Sequence, residues 1–416
     1  MKRGRFSFHL GVNMKYDFET VIDRKGRDAA AYDMVGKVKW GVEPSEPDEG
    51  FDFIPLWVAD MNFATCPAIT REIIKRAEHP LFGYYDYSDE YYQSIISWRQ
   101  SGGYHQGLSK EHIGYENGVH GFISSAVQVL TEPGDSILLH SPVYCGFGSD
   151  VEGLGRKSVY SPLVFDEDDG KWHMDFDDMD RKIKDNNIKV VIFCSPHNPT
   201  GRVWTREELE QAMAVFEENN VTVISDEIWA DLVFPGHEHI PVQDVNAWAK
   251  EHVAAAYAPS KTFNLASLVS SYHIIYNDEL RRIITEQGEK TSYNEMNVLS
   301  MHALIGAYSE EGREWMNELM QVIEGNVRWA YDYITENIPG GKTSIGEGTY
   351  MMFLDLTEYC QNSGRDIDEV IRAGWKVGVG WQDGRQFEGP CHVRLNLASP
   401  RTLLEEAFDR MKGYVF

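Results

Sequence analysis

The sequence predicts an α/β protein, with a large domain built on a mostly parallel sheet flanked by helices and a smaller α+β domain. Three observations support this fold class. The chain has 416 residues, which is long for one ordinary hydrophobic core. Short apolar runs alternate with helical patterns through its middle, an order typical of parallel sheets. Long amphipathic patterns prevail after residue 300.

Four short apolar runs predict strands of the large domain. Each ends in a polar, Gly- or Pro-bearing turn, and runs of this length and composition are typical of strands buried on both faces. The four runs comprise residues 136–140, 189–194, 221–225 and 252–257. Because ligands of parallel sheets bind at the carboxyl ends of the strands, the residues that follow these runs are the first candidates for a functional site.

Helical patterns occupy the connections. Thr205 and Glu208 have the spacing of a capping box, so a helix is predicted to begin just after Thr205. Residues 122–130 also have helical character. These helices would cover the faces of the sheet.

The last part of the chain has the pattern of a smaller α+β domain. It contains amphipathic helical patterns at 314–333 and 402–412, and apparent strands at 350–356 and 392–397. The segment 16–61 has no complete core of its own and is expected to pack on this domain. The predicted division is an N-terminal arm with part of the small domain (1–64), a large domain (65–300) and a small C-terminal domain (301–416).

The charge and hydropathy favour a soluble protein that acts on a small molecule. The chain has 65 acidic and 39 basic residues and a formal charge of -26, which opposes unassisted binding to nucleic acid or anionic membranes. No run of about 18 apolar residues exists, and the N-terminus lacks the apolar core of a secretory signal. Neither a membrane span nor a signal peptide is therefore predicted.

The cysteines indicate a reducing, cytoplasmic environment. They are five in number and widely spaced, without the CxxC or Cys/His spacing of a metal site. We therefore expect reduced thiols and no metal centre. The five residues are Cys66, Cys145, Cys194, Cys360 and Cys391.

The turn 117–121 is the first of four candidate sites. It contains Gly118, Val119 and His120 and leads into the helical pattern 122–130. A glycine-bearing turn before a helix presents free backbone N–H groups and the positive end of a dipole, which suits a phosphate. Many helices without a ligand begin in the same way, so both interpretations stay open for this motif alone.

The second and third sites follow two of the predicted strands. Two prolines and a glycine fix the turn 195–201, where Asn198 could present its side chain at the strand end, although a simple tight connection explains the turn equally well. Asp226 follows the strand 221–225. A carboxylate there is costly to bury unless it meets a cation, for which a protonated pyridine nitrogen is suitable; a helix cap is the alternative.

The fourth site is Lys261, in the turn that follows the strand 252–257. A lysine at a strand end becomes a nucleophile if burial or a neighbouring cation lowers its pKa, and attachment of pyridoxal phosphate is a common use of such an amine. Most lysines after a Pro-Ser turn are solvated, so this alternative also stands for the motif alone.

Taken together, these four sites resemble those of the fold type I, aspartate-aminotransferase-like pyridoxal-phosphate enzymes, and more closely the MalY/PatB-type cystathionine β-lyase branch. The resemblance extends over nearly the whole chain from residue 14. It includes the motifs LWVADMNF (56–63), APSKTFN (258–264), FGY (82–84), PVY (142–144), EGTY (347–350) and VRLNLASPR (393–401). It implies a seven-stranded sheet in the large domain, which would bind the cofactor.

The resemblance also implies roles for the charged residues. Lys261 would hold the cofactor covalently and then remove the α-proton of the substrate. Asp226 would keep the pyridine nitrogen protonated, so that the ring can accept electrons. Arg394 would bind the substrate α-carboxylate, a task suited to a planar fork of donors; an internal salt bridge is the alternative explanation of an arginine in this apolar strand.

Further roles follow from the same resemblance. Asn198 would bind the ring hydroxyl oxygen and lie near the substrate, while Tyr144 would stack on the ring. Tyr84 would reach the phosphate from a second subunit, so a homodimer is expected, although both tyrosines could be ordinary core or interface residues. The phosphate would otherwise be held by Gly118, Val119, His120 and Ser260.

The chain departs from the pattern of its branch at positions that bear on the substrate. Trp229 stands where relatives usually carry His or Tyr, and an indole donates a hydrogen bond but cannot accept one. Ser267 replaces a usual glycine. Val269 replaces a phosphate-binding arginine of many aminotransferases, which favours the lyase branch.

The expected activity is β-elimination that cleaves the C–S bond of cystathionine, cysteine or a related S-substituted cysteine to a thiol, pyruvate and ammonia. An aminotransferase on the same scaffold is the alternative, because the same residues would serve it. A cofactor-bound regulatory protein is the third possibility. The catalytic set predicted from the resemblance is Lys261, Asp226 and Tyr144, with Arg394, Asn198 and Trp229 at the substrate.

Overall fold

The computed structural model describes residues 14–37 and 43–416. The strands among the described residues are β1 (Ile54–Pro55), β2 (Ile113–Glu116), β3 (Ser136–Ser141), β4 (Lys157–Pro162), β5 (Val164–Asp166), β6 (Lys171–His173), β7 (Val190–Cys194), β8 (Thr222–Asp226), β9 (Val253–Tyr257), β10 (Ser271–Ile274), β11 (Met351–Asp355), β12 (Val379–Gly380), β13 (Gln382–Asp383) and β14 (His392–Asn396).

The α-helices within the described residues surround these strands. They are α1 (Ala30–Asp33), α2 (Pro67–Ala77), α3 (Asp89–Gln100), α4 (Val119–Leu130), α5 (Cys145–Gly153), α6 (Phe176–Asp185), α7 (Arg206–Glu218), α8 (Ala247–His252), α9 (Asp278–Thr291), α10 (Val298–Ala307), α11 (Glu310–Asn337), α12 (Thr357–Ser363), α13 (Ile367–Lys376) and α14 (Arg401–Arg410).

A seven-stranded sheet in the order β2-β10-β9-β8-β7-β3-β4 forms the centre of the protein. The strands from β9 to β4 run parallel, whereas β10 is antiparallel to both of its neighbours. Successive strand residues contribute to opposite faces: Ile137 and Leu139 pack in one hydrophobic cluster and Leu138 in the other. The sheet is therefore buried on both faces, and the prediction of a mostly parallel α/β sheet is confirmed.

The four predicted strands and the capping box are confirmed, with one shift in a helix start. Thr205 accepts a hydrogen bond from the backbone of Glu208, and the Glu208 side chain caps in return. Helix α4 begins at Val119, three residues before the predicted 122–130. Gly118, at φ +88°, makes the break from β2, and its conformation is one that non-glycine residues rarely adopt.

The C-terminal part contains a three-stranded sheet of order β11-β14-β13 and the long helix α11. Strand β1 pairs in parallel with β12, so the early chain joins the C-terminal part, as expected for the segment 16–61. The last predicted helix, 402–412, corresponds to α14, and a π-helical turn, Met411–Val415, follows it directly. The domain limits at residues 64 and 300 stay a prediction, and residues 1–13 of the predicted arm lie outside the described residues.

Two further expectations concern the environment of the protein. All five cysteines are free. Within the described ranges, no helix combines the length and apolar character needed to cross a lipid bilayer.

Candidate active site

The predicted polar residues gather at the carboxyl end of the central sheet. The last residues of two neighbouring strands, Cys194 of β7 and Asp226 of β8, are paired in register, and Asp226 is also paired with Ala256 of β9. The turn with Asn198 leaves β7 at this edge, and the turn with Lys261 leaves β9 beside it. Parallel register thus brings together side chains that are far apart in the sequence.

A cavity of about 140 Å³ lies at this edge. Its lining includes nine of the residues proposed from the sequence. Val269, which departs from the pattern of many aminotransferases, also lines it. The nine are Gly118, Val119, His120, Tyr144, Asn198, Asp226, Trp229, Ser260 and Lys261. A second cavity of about 950 Å³ adjoins it, sharing Lys261, Tyr144 and His120 and adding Arg394 and Ser267.

Lys261 has the environment of a reactive amine. Its Nζ donates a hydrogen bond to the backbone carbonyl of Ala59 at 3.0 Å and lies 5.7 Å from the ring centroid of Trp229. Burial, together with the charge of Arg394, lowers the pKa of Lys261 to about 8, against the opposing effect of Asp60 and Asp226. The interpretation of Lys261 as a solvated surface residue is therefore wrong.

Asp226 is a buried carboxylate, 5% exposed, without an ion-pair partner among the described residues. Its Oδ1 accepts a hydrogen bond from the backbone N–H of Ile228 at 3.0 Å. Burial raises the pKa of Asp226 to about 6, although that hydrogen bond, His120 and Lys261 act in the opposite direction. The next α-helix begins only at Ala247, so Asp226 caps no helix. A carboxylate so placed favours a cationic ligand group.

The start of α4 brings free backbone donors to the cavity. Val119 and His120 are its first two residues, whose backbone N–H groups precede the first helical hydrogen bond. Ser260 contributes a hydroxyl from the turn that carries Lys261. This combination of free donors and a helix N-terminus suits a phosphate group.

Arg394 is a buried cation in strand β14, 3% exposed, with no carboxylate within salt-bridge distance among the described residues. Its guanidinium donates hydrogen bonds to Asn198 Oδ1 at 3.1 Å, to the Trp57 carbonyl at 2.9 Å and to Gln382. Its Nε has no hydrogen-bond partner in the part of the chain that the structure describes. The alternative of an internal salt bridge is thus wrong, and a buried arginine with neutral partners favours an anionic ligand.

Trp229 and Tyr144 form apolar walls of the cavity. Trp229 packs edge-on against Tyr350, with ring centroids 4.7 Å apart. Tyr144 packs edge-on against Phe147, with ring centroids 5.5 Å apart, and its hydroxyl forms a hydrogen bond with the imidazole of His120. Each aromatic residue therefore contacts at least one side chain from a distant part of the chain, Tyr350 for Trp229 and His120 for Tyr144.

Tyr84 is the predicted site residue that lines neither cavity. Its side chain is fully exposed, in a segment without regular structure. Three further residues contact the site and were not proposed from the sequence. The carbonyl of Ala59 accepts a hydrogen bond from Lys261, Tyr350 packs on Trp229, and the side chain of Gln382 accepts a hydrogen bond from Arg394. Ala59 and Tyr350 lie inside motifs quoted above, whereas nothing in the local sequence distinguishes Gln382.

A family model for class I and II aminotransferases matches residues 52–411. The chain belongs to this family. Within it the protein is a fold type I pyridoxal-phosphate enzyme of the MalY/PatB branch. Its sequence is 32% identical over 399 residues to cystathionine β-lyase PatB of Bacillus subtilis (strain 168), an alignment that covers 95% of this chain and 99% of the relative.

Solved structures of two lyases are also similar to this aminotransferase-family enzyme. The pyridoxal-phosphate-bound C–S lyase of Staphylococcus hominis has a TM-score of 0.84 and 30% identity, covering 95% of this chain and 98% of the other. Cystalysin of Treponema denticola, which contains pyridoxal 5'-phosphate, has a TM-score of 0.86 and 29% identity, covering 96% and 98%.

The cofactor of the enzyme is pyridoxal 5'-phosphate, and the residues at the cavity fit it. The unpaired carboxylate of Asp226 suits the protonated ring nitrogen, the start of α4 suits the phosphate, and the amine of Lys261 suits the aldehyde. When bound, this cofactor supplies an electron sink that stabilises negative charge at the substrate α-carbon.

The lowered pKa of Lys261 predicts how apoenzyme takes up the cofactor. Only the neutral amine attacks an aldehyde, so covalent uptake should speed up as pH rises and be half-maximal near the pKa of about 8. Stopped-flow absorbance of the bound cofactor measures this rate, and the exposed-lysine variant Lys290→Ala should give the same profile. A rate that is flat from about pH 6.5 to about pH 9.5 would contradict the assignment.

Proposed function

We propose that the protein is a C–S β-lyase that cleaves cystathionine or a related S-substituted cysteine to a thiol, pyruvate and ammonia. The observation that carries the proposal is the convergence of Lys261, Asp226 and Arg394 on two adjoining cavities. An amine of lowered pKa, a carboxylate suited to a cation and a buried arginine suited to a carboxylate are what an α-amino acid substrate requires. The similarity to cystathionine β-lyase PatB supports the same activity.

The chain's own residues divide the work. Arg394 would bind the substrate α-carboxylate, and Asn198, which accepts a hydrogen bond from Arg394, would bind the ring hydroxyl oxygen of the cofactor. Lys261 takes the proton from the α-carbon, after which the Cβ–S bond breaks and its electron pair leaves on sulfur. Asp226 holds the proton of the pyridine nitrogen. Tyr144 and Trp229, which line the cavity, would exclude water from the cofactor ring.

The larger cavity favours a substrate with an extended side chain. Polar groups of both signs line it, including Arg24 and Asp60, which form an ion pair at 2.6 Å. A side chain that continues beyond sulfur and bears polar groups, as in cystathionine, fits this lining.

Incubation with cystathionine in the absence of any 2-oxo acid tests the activity. The lyase releases pyruvate and a thiol over many turnovers, because elimination regenerates the original cofactor. An aminotransferase stops after one turnover, with the cofactor in its amine form. A single turnover would overturn the proposal in favour of the aminotransferase, and no reaction of the yellow holoenzyme would leave only the regulatory alternative.

We also propose a homodimer whose two sites each use Tyr84 of the other subunit. The exposed side chains of Leu81 and Phe82 flank Tyr84 and give this segment an apolar surface suited to burial in an interface. Gly118, Val119, His120 and Ser260 hold the phosphate in the same proposal.

Mixed dimers test the sharing of sites. Tyr84→Ala should weaken cofactor binding and Lys261→Ala should remove activity, so each variant alone is a poor enzyme. In dimers formed by mixing the two, one of the two sites has both native residues, and random exchange should restore about a quarter of native activity. If subunit exchange is verified and activity does not recover, the assignment is contradicted. A fully active monomer would contradict it as well.

The compartment inferred for this enzyme is the cytoplasm. The five free thiols, together with the absence of any spacing typical of a metal site, support a reducing environment.

A further inference from the structure

Tyr144, His120 and Asp150 form a hydrogen-bonded chain that leads away from the reacting centre. The Tyr144 hydroxyl lies 3.1 Å from His120 Nε2, and His120 Nδ1 lies 2.6 Å from Asp150 Oδ2. The roles proposed above use the ring of Tyr144 and the backbone of His120. They give no task to the Tyr144 hydroxyl, the imidazole or Asp150.

Two separate pieces of the chain, the start of α4 and the region of α5, make this arrangement. His120 opens α4, Tyr144 precedes α5 and Asp150 lies within α5. At Gly146 an added Cβ would come within 2.1 Å of His120 Cε1 and 2.7 Å of Tyr144 Cε1. A side chain at that position would push the two rings apart, so glycine is required for the contact between the phenol and the imidazole.

The arrangement joins the reacting centre to the outer cavity. Tyr144 and His120 line both cavities, and the His120 side chain is 48% exposed. The imidazole can therefore exchange protons with water, while the phenol faces the space shared with Lys261. Such a placement suits a group that delivers protons from solvent to the substrate.

The charges around His120 favour its protonated form. Burial acts to lower the pKa of His120, but the hydrogen bond and charge of Asp150 outweigh it, and Asp226 adds to the rise while Lys261 opposes it, leaving the pKa above 6.5. Burial raises the pKa of the Tyr144 phenol, so this group keeps its proton at neutral pH. A protonated phenol that is hydrogen-bonded to an imidazolium can donate its proton and then be reprotonated by the imidazolium.

We propose that His120 and Asp150 are positioning residues that make Tyr144 the proton donor to the departing sulfur. This inference rests on the proposed β-elimination. As the Cβ–S bond breaks, sulfur keeps the electron pair and takes the proton of the Tyr144 hydroxyl. The phenolate takes the Nε2 proton of His120, which regains one from water in the outer cavity. Asp150 stabilises the imidazolium throughout and accepts no proton.

Asp150→Asn tests this role, because it keeps the size of the side chain and removes its charge. Two substrates separate proton delivery from the rest of catalysis: cystathionine, whose thiolate needs a proton, and 3-chloroalanine, whose chloride leaves without one. We expect kcat of Asp150→Asn holoenzyme to fall at least about tenfold more on cystathionine than on 3-chloroalanine. Asp177→Asn, an exposed aspartate on α6, should change the ratio of the two rates little.

A second measurement uses apoenzyme and does not depend on activity. With ¹⁵N-labelled histidine, the resonance of His120, assigned by its loss in His120→Gln, should titrate above pH 6.5 and move to lower pH in Asp150→Asn. Equal losses on the two substrates, or a His120 titration insensitive to Asp150, would overturn the relay while β-elimination stands. If wild-type enzyme releases pyruvate from neither substrate, the proposed function fails and this inference fails with it.

Discussion

Lys261→Ala is expected to lower the rate of pyruvate release from cystathionine by about 10³-fold or more, and to abolish the covalent attachment of the cofactor. The variant loses both the amine that holds the aldehyde and the base that takes the α-proton, and proton transfer by a positioned side chain alone typically contributes about 10²- to 10⁴-fold. Dialysis followed by absorbance spectroscopy measures attachment, and a coupled pyruvate assay measures the rate.

The matched control is Lys290→Ala, at the exposed end of α9. It removes one lysine from a surface helix and should keep both the yellow colour and the activity. If Lys261→Ala retained the colour after dialysis, together with near-native turnover, the assignment of Lys261 would be wrong. The partly buried position of Lys261, within hydrogen-bonding distance of the Ala59 carbonyl, argues for the opposite result.

Arg394→Met is expected to lower kcat/KM by about 100-fold, mainly through a higher KM. A hydrogen bond to a charged group contributes about 1.5–3 kcal/mol, and the substrate carboxylate would lose such bonds to the guanidinium. Methionine fills similar apolar space against Phe387, whose ring centroid lies 4.4 Å from the guanidinium carbon. Steady-state kinetics with cystathionine measures the change.

Folding of this variant is expected to be retained, because removing the desolvation cost of the buried guanidinium offsets the loss of its hydrogen bonds to Asn198, Trp57 and Gln382. Urea unfolding monitored by circular dichroism should give a midpoint close to that of the control Arg282→Met, which changes an exposed arginine on α9. An Arg394→Met enzyme that is stably folded and has an unaltered KM would show that the substrate carboxylate binds elsewhere.

Much of the fold was predictable because its signals are local. The four apolar runs became β3, β7, β8 and β9 within a residue or two, since a strand buried on both faces needs a continuous apolar segment. The capping box of Thr205 and Glu208 depends on residues three apart and was found in place. The start of α4 was missed by three residues, because the torsion of Gly118 decides it and composition does not.

The candidate site was predictable only in part. Lys261, Asp226 and Asn198 each follow a strand, and parallel strands end at the same edge, so their convergence follows from the order of the elements. Gln382 carries no such signal. It contacts Arg394 because β13 pairs with β14, and the local sequence of neither strand predicts this pairing.

The sequence by itself determined the fold class, the family and the residues proposed to hold the cofactor, since strand ends, turns and motifs each lie in contiguous stretches of the chain. Only the tertiary structure decided that Arg394 meets no carboxylate within residues 14–37 and 43–416, that Asp226 caps no helix, and that His120 and Asp150 form a hydrogen-bonded chain with the hydroxyl of Tyr144. Those facts depend on distances between distant segments. Burial and electrostatic environment, which set how each side chain reacts, are properties of the packed protein.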